Sequence, residues 1–182
     1  MADFLTLVRL LLALPVGWAM AEHEFLPAWV LAFFMLLAVT SDFLDGKMAR
    51  TFGTASASGQ IFDHTTDFIF VTSGLAGAAS AGLVPDILPI LITLAFSQYV
   101  LDSYFLYRQK SLRMSSLGRW NGVLYFCPLI LIAGSRLLES NQWAAETVLT
   151  ILRMLAWTLV VSTLISILDR AIAPFNIQRH SR

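Results

Sequence analysis

Four aspartates stand close together where one strongly apolar stretch of the sequence gives way to the next. They are Asp42, Asp45, Asp63 and Asp67. A carboxylate beside a membrane segment is costly unless something compensates it, so such an acid indicates a functional site. Oxygen ligands in this number are those that Mg²⁺ or Mn²⁺ prefers. The aspartates therefore predict a divalent-cation site.

The spacing of the aspartates predicts two helix ends that face one volume. Asp42 and Asp45 are three residues apart, and Asp63 and Asp67 are four apart, so each pair lies on one face of a helix. The first pair closes one apolar segment and the second pair opens the next, so a short linker would bring the four carboxylates together. Like charges at this distance repel each other, and a metal ion would remove that repulsion.

Small residues accompany the acids. Three of them lie one helical turn from an aspartate, namely Gly46, Ala49 and Gly59. Each leaves room on the carboxylate face for a planar base or a pyrophosphate. Arg50 adds a cation suited to phosphate, and the N-terminus of a helix that begins near Asp63 favours anions. The stretch therefore has the features of a nucleotide site as well as a metal site.

The composition places this stretch in a membrane protein. The chain has 182 residues, of which 57% are hydrophobic and 13% are charged, whereas a typical soluble domain has about 25% charged residues. The apolar residues form long runs, as in helices that cross a bilayer with ~20 residues each. Basic and acidic residues are equal in number at 12 each, so no broad nucleic-acid surface is implied.

Six apolar segments predict an all-α integral membrane bundle of about six transmembrane helices, in one domain that covers residues 1–182. The segments are Phe4–Met20, Phe25–Leu44, Ile61–Leu83, Ile87–Tyr107, Asn121–Leu138 and Ala144–Leu168. A small, polar linker, Gly46–Gly59, separates the second segment from the third. Pro128 predicts a kink in the fifth segment. Glycines and alanines in the third segment suit close helix packing, within the chain or in a homodimer.

Loop charges predict the orientation of the bundle. The second linker, the fourth loop and the C-terminal tail contain nine basic residues, namely Lys47, Arg50, Arg108, Lys110, Arg113, Arg119, Arg170, Arg179 and Arg182. The opposite loops contain one, Arg136. The positive-inside rule therefore puts both termini and the aspartates on the cytoplasmic side. We expect a multi-pass protein of the bacterial inner (cytoplasmic) membrane.

The stretch from Asp42 to Asp67 resembles the signature of the CDP-alcohol phosphotransferases, D-x2-D-G-x2-A-R-x8-G-x3-D-x3-D, at all eight specified positions. The N-terminal segment is similar to the N-x-x-T-x-x-R element of that family. Thr6 and Arg9 match this element, and Asp3 stands where asparagine is usual. The six-segment layout extends the resemblance over nearly the whole chain.

The resemblance implies a membrane phosphatidyltransferase of phospholipid synthesis. Such an enzyme transfers the phosphatidyl group of CDP-diacylglycerol to an alcohol and releases CMP. By the same resemblance, two ions of Mg²⁺ or Mn²⁺ would be held by Asp42, Asp45 and Asp63. Asp67 would complete the metal site and act as general base on the acceptor hydroxyl. The substrate-binding residues that the resemblance implies for the donor are Thr6, Arg9, Asp42, Gly46, Ala49, Arg50 and Gly59. Members of the family are commonly homodimers embedded among membrane lipids.

The acceptor is predicted less directly. The compact chain resembles phosphatidylglycerophosphate synthases, and the basic fourth loop, with Arg113 and Arg119 nearest the fifth helix, suits the phosphate of glycerol 3-phosphate. The third segment reads D-H-T-T-D where those synthases usually have D-P-x-x-D-K, and their R-E pair is not evident in the fourth segment. Inositol phosphate, serine or another alcohol stays open as the acceptor.

A metal or proton transporter with carboxylate ligands is the alternative from a different functional class. Transporter sites usually lie near the bilayer midplane, whereas these aspartates are predicted at the cytoplasmic boundary. His64 follows Asp63 directly and is predicted to point away from the carboxylate face. Asp102, at the polar end of the fourth segment, either lines the acceptor cavity or joins a network between helices, and Arg153 has no assigned partner.

Overall fold

The computed structural model describes residues 2–51, 57–101 and 116–179, and within these ranges the regular structure is entirely α-helical. The helices are α1 (Ala2–Ala21), α2 (Ala28–Thr51), α3 (Ala57–Ser80), α4 (Ile87–Leu101), α5 (Ser116–Leu124), α6 (Phe126–Leu137) and α7 (Gln142–Arg179). The predicted all-α class is confirmed. The fourth predicted segment continues beyond Leu101 into residues that lie outside the described ranges.

The distribution of side chains suits a bundle surrounded by lipid. Two helical stretches, Leu117–Leu137 and Gln142–Ile172, are long and apolar enough to cross a membrane. All five tryptophans are more than half exposed, namely Trp18, Trp29, Trp120, Trp143 and Trp157. Polar side chains are enclosed instead, such as Thr6, Arg9 and Asn121, each at most 2% exposed. Large apolar residues outside and polar residues inside reverse the usual order of a soluble protein.

The second and third helices are longer at their facing ends than the sequence predicts. α2 continues to Thr51 and α3 begins at Ala57, so the prediction of a linker over Gly46–Gly59 is wrong for most of its length. A single glycine such as Gly46 costs a helix only about 1 kcal/mol relative to alanine. The residues after it, Lys47 to Arg50, are good helix formers, so the helix continues through the signature.

The third helix ends three residues before the predicted end of its segment. Gly82 has a φ of 70°, a left-handed conformation that glycine adopts without steric cost. Its amide donates to the carbonyl oxygen of Ala79 at 2.8 Å, and the amide of Leu83 donates to that of Ala78 at 2.9 Å. These two bonds form a Schellman motif, which satisfies the last carbonyl groups of α3 and turns the chain.

The fifth predicted segment is interrupted at Tyr125, between α5 and α6. Pro128 has no amide hydrogen to donate to the carbonyl group of Leu124, four residues earlier, and its ring crowds that carbonyl. The helix therefore breaks within one turn of the proline, as the predicted kink requires.

The last helix is longer than predicted. α7 has 38 residues, which corresponds to about 57 Å at ~1.5 Å per residue, whereas a bilayer core is ~30 Å thick. It continues past Leu168 to Arg179, so Arg170 belongs to a helix and the prediction of a tail from that point is wrong.

α1 is the central element of the described bundle. It packs most extensively against α3 and next against α2, while α7 packs against α4, α5 and α6. The approach of α1 to α3 is so close that a Cβ atom on Gly77 would collide with the carbonyl oxygen of Gly17. Near this contact, Ser73 Oγ donates to the carbonyl oxygen of Ala13 at 3.0 Å. Gly77 is therefore used for packing within the chain.

Candidate active site

Arg9 lies at the centre of the acidic signature. Its side chain is fully buried, although it belongs to α1 and the aspartates belong to α2 and α3. Arg9 Nη1 donates to Asp42 Oδ1 at 2.7 Å. The same guanidinium donates to Asp67 Oδ1 through Nη1 and to Asp63 Oδ1 through Nη2. Three helices thus bring one cation and three carboxylates to one place.

The structure brings together three of the four predicted metal ligands. Asp42, in the C-terminal half of α2, and Asp63 and Asp67, in the N-terminal half of α3, share one guanidinium. These three carboxylates therefore do face one volume, as the spacing predicts, but they lie within the helices and not at their ends, because α2 continues to Thr51 and α3 begins at Ala57. The side chain of Asp45 lies outside the described part of the chain.

The charges of this cluster favour a further cation. Three half-buried carboxylates lie around one guanidinium, and negative charges so close together attract a further cation. The side chains of Asp42, Asp63 and Asp67 are 45, 30 and 24% exposed, whereas that of Arg9 is 0% exposed. The carboxylates can therefore still be reached from the side away from Arg9.

His64 also belongs to the cluster. One ring nitrogen of His64 and one carboxylate oxygen each from Asp63 and Asp67 lie within 4.8 Å of one another. The prediction that His64 points away from the carboxylates is wrong. Neighbouring residues are about 100° apart around a helix, and the imidazole is long enough to reach back across that angle.

A cavity of about 510 Å³ lies beside the cluster. Asp42, Asp63, His64 and Asp67 form one part of its wall. Much of the remaining wall is apolar and includes Phe68 and Phe96, whose rings stack with centroids 4.1 Å apart. The cavity can therefore accommodate a molecule that has both a charged part and an apolar part.

Two arginines and a tyrosine line the same cavity. Arg119 comes from α5 and is exposed, and Arg170 comes from α7. The guanidinium carbon of Arg170 lies 5.0 Å from the centroid of the Tyr99 ring, which is within cation–π distance. The lining of the cavity therefore includes cations as well as carboxylates.

The other predicted site residues differ in what the structure shows of them. Thr6 is buried one turn before Arg9 on α1, and Gly59 is half-buried in the first turn of α3. Arg113 and Asp102 lie outside the described residues. The side chains of Asp3, Ala49 and Arg50 also lie outside the described part of the chain, and of Gly46 only its place in α2 is described.

Sequence reasoning did not single out Arg170 as a site residue. It was counted among the cytoplasmic charges, because the sixth segment was ended at Leu168. A signal was available in the sequence, since Thr163, Ser166 and Arg170 follow helical spacing and form a polar stripe on an apolar helix. Arg153 does not line the cavity and is exposed.

The described chain is an all-α bundle with membrane-spanning helices, and it has an acidic cluster beside a largely apolar cavity. These are features of a membrane enzyme that binds lipids with charged headgroups. The sequence model of the CDP-alcohol phosphatidyltransferase family matches residues 1–167, and the chain belongs to this family. No curated protein matches the chain significantly. The predicted family is confirmed. The protein is thus a membrane transferase of phospholipid biosynthesis that moves a phosphatidyl group from a CDP-alcohol to an alcohol.

The donor atoms of the cluster fit a divalent metal, on which the family generally depends. Asp63, His64 and Asp67 offer two oxygens and a nitrogen at close mutual distance, and Asp42 contacts the same guanidinium as the two aspartates. Carboxylate oxygens suit Mg²⁺ and Mn²⁺.

Proposed function

We propose that the protein transfers the phosphatidyl group of CDP-diacylglycerol to a small alcohol, best glycerol 3-phosphate, with release of CMP. The observation that carries this proposal is one cavity in which the signature carboxylates, apolar walls and two arginines meet. The apolar walls suit the diacylglycerol part of the donor, and the carboxylates lie where its pyrophosphate would be held.

Asp42, Asp63 and Asp67, together with Asp45 from the signature, are the proposed ligands of two Mg²⁺ or Mn²⁺ ions. Bound there, such ions would neutralise the pyrophosphate and stabilise CMP as the leaving group. Gly46, Ala49 and Gly59 are proposed to leave room for the cytidine nucleotide. Thr6, Arg9 and Arg50 are proposed to contact its phosphates.

Asp67 is the proposed general base. Its carboxylate lines the cavity, so an acceptor hydroxyl can approach it, and it would accept the hydroxyl proton. The acceptor oxygen then forms a bond to the phosphorus that bears diacylglycerol, and the bond from this phosphorus to the CMP oxygen breaks.

Arg119 and Arg170 support an acceptor that has its own phosphate. Both line the cavity that the carboxylates also line, and guanidinium groups bind phosphate through paired hydrogen bonds. Arg113, three positions before the start of α5 in the sequence, is proposed to join them. Glycerol 3-phosphate and inositol phosphate have such a phosphate, whereas serine does not.

We further propose that residues 1–182 form one domain that crosses a bacterial inner membrane about six times and has both termini in the cytoplasm. The nine basic residues that the sequence predicts on one side of the membrane support this orientation, with the active site facing the cytoplasm. A homodimer in the lipid bilayer is proposed as the assembly.

The decisive experiment incubates purified protein with CDP-diacylglycerol, Mg²⁺ or Mn²⁺, and a panel of acceptors, and identifies the lipid formed. We expect CMP release that needs the metal, and phosphatidylglycerophosphate as the product when glycerol 3-phosphate is present. A product with another alcohol alone would correct the acceptor. No CMP with any acceptor, together with ion flux in liposomes, would favour a carboxylate-based transporter instead.

A further inference from the structure

Arg9 shares its carboxylate partners with the proposed metal site. Its guanidinium lies among Asp42, Asp63 and Asp67 and donates to one oxygen of each. Those oxygens belong to the carboxylates that are the proposed metal ligands. The positive charge in this cluster is therefore supplied by the chain itself.

A guanidinium and a divalent ion compete for these oxygens. An ion such as Mg²⁺ requires its oxygen ligands at about 2.0–2.1 Å in near-octahedral geometry, and each hydrogen bond that Arg9 donates uses a lone pair of Oδ1 that such an ion could otherwise bind. Two cations so close also repel each other strongly, because the fully buried side chain of Arg9 lies where little water screens the charges.

We propose that Arg9 is a displaceable counter-ion of the metal site, an inference that rests on the proposed metal-dependent function. In the metal-free protein Arg9 holds Asp42, Asp63 and Asp67 together. Binding of the divalent ions displaces the guanidinium from Asp63 and Asp67. Because this displacement costs free energy, Arg9 lowers the affinity of the site for metal. The affinity rises when another anion attracts the guanidinium. The diphosphate of the donor is such an anion.

The packing of α1 explains why this arrangement persists without metal. α1 is held against α3 by the contact of Gly17 with Gly77, so the backbone of Arg9 stays close to the first turns of α3. Without the arginine, three neighbouring carboxylates would repel one another. Arg9 therefore stabilises the metal-free fold while it weakens metal binding.

The test measures Mn²⁺ binding by electron paramagnetic resonance of the free ion, with metal-stripped protein in lipid nanodiscs and no substrate. We expect Arg9→Gln to bind Mn²⁺ at least tenfold more tightly than the wild type. Arg136→Gln is the matched control, because Arg136 is also buried but contacts backbone carbonyl groups at the other end of α1. It should leave the affinity for Mn²⁺ unchanged.

Thermal unfolding gives a second readout that does not depend on activity. Arg9→Gln should unfold at a lower temperature than the wild type in EDTA, and Mn²⁺ should raise its midpoint by more than it raises that of the wild type. If Arg9→Gln does not fold, Arg9→Lys serves instead. A single ammonium cannot contact three carboxylates as the guanidinium does, so this variant should bind Mn²⁺ more tightly than the wild type.

The outcomes separate this inference from the proposed function. Equal or weaker Mn²⁺ binding by the Arg9 variants, with normal binding by the wild type, would overturn the counter-ion role and leave the metal site intact. If neither the wild type nor any variant binds Mn²⁺, the proposed metal site fails, and the inference fails with it.

Discussion

The two arginines that are buried among the described residues lie near opposite ends of α1, and their partners differ in kind. Arg9 is paired with the carboxylates of Asp42, Asp63 and Asp67. Arg136, from α6, donates to the backbone carbonyl oxygens of Ala19 at 2.7 Å and His23 at 3.4 Å. Both side chains are almost completely enclosed, at 0% and 6% exposure, so burial does not distinguish them.

This difference shows that the partners of a buried charge indicate its role better than the extent of its burial does. The last carbonyl groups of a helix have no partner within the helix and carry a partial negative charge, and a cation near them satisfies both needs. Arg136 therefore satisfies carbonyl groups at the end of α1. At Arg9 the carboxylates outnumber the guanidinium, and this surplus is what suits the cluster to a metal and a substrate.

The largest effect is expected from Asp67→Asn, which tests whether the chemical step depends on the carboxylates around Arg9. Loss of the proposed general base should lower the rate of CMP release about 10²–10⁴-fold, while the thermal midpoint stays near that of the wild type. The measurement is CMP release at saturating CDP-diacylglycerol. Turnover at the wild-type rate would remove the proposed role of Asp67.

Gly77→Ala should disturb the packing that positions both arginines, because it acts on the contact between α3 and the last turns of α1. A Cβ atom there would collide with the carbonyl oxygen of Gly17, and overpacking of this kind costs about 1–3 kcal/mol. The midpoint of thermal unfolding should fall, and activity should fall with it. Gly134→Ala is the matched control, since no atom lies within 4 Å of a Cβ placed at Gly134. Equal stability of the two variants would contradict the close packing of α1 on α3.

Arg136→Gln should affect stability and leave the chemistry unchanged. Hydrogen bonds to a charged group contribute about 1.5–3 kcal/mol, so unfolding of this variant should begin at a lower temperature. The KM for CDP-diacylglycerol, measured well below that temperature, should equal that of the wild type. A large rise in KM for CDP-diacylglycerol, with an unchanged midpoint of thermal unfolding, would contradict a purely structural role for Arg136.

Asp42→Asn should lower the rate less than Asp67→Asn does and should act mainly on binding. Asp42 is the most exposed of the three carboxylates that contact Arg9. The loss of a metal ligand should weaken metal binding by at least the ~10–100-fold that the loss of an outer-shell partner typically costs. The concentration of Mn²⁺ that gives half-maximal CMP release should rise accordingly, and saturating Mn²⁺ should restore most of the rate. A rate that saturating metal does not restore would place Asp42 in the chemical step.

Local periodicity accounts for what the sequence predicted well. The all-α class, the placement of Asp63 and Asp67 on one helix face and the break near Pro128 depend on residues within a few turns of one another, where spacing translates directly into geometry. The errors concern helix ends. A helix end before Gly46 is wrong because one glycine costs a helix little and good helix formers follow it. A helix end at Leu168 is wrong because local periodicity does not register the packing of α7 against α4, α5 and α6.

The sequence by itself determined the family, the helical class and the set of acids in the signature, since these are properties of composition and of a stretch 26 residues long. Only the tertiary structure decided what compensates those acids. Arg9 is 33 positions from Asp42 and 58 from Asp67, and no local pattern specifies such a pairing. It forms because α1 packs against α3 and α2, and because a buried guanidinium and buried carboxylates are each costly without the other.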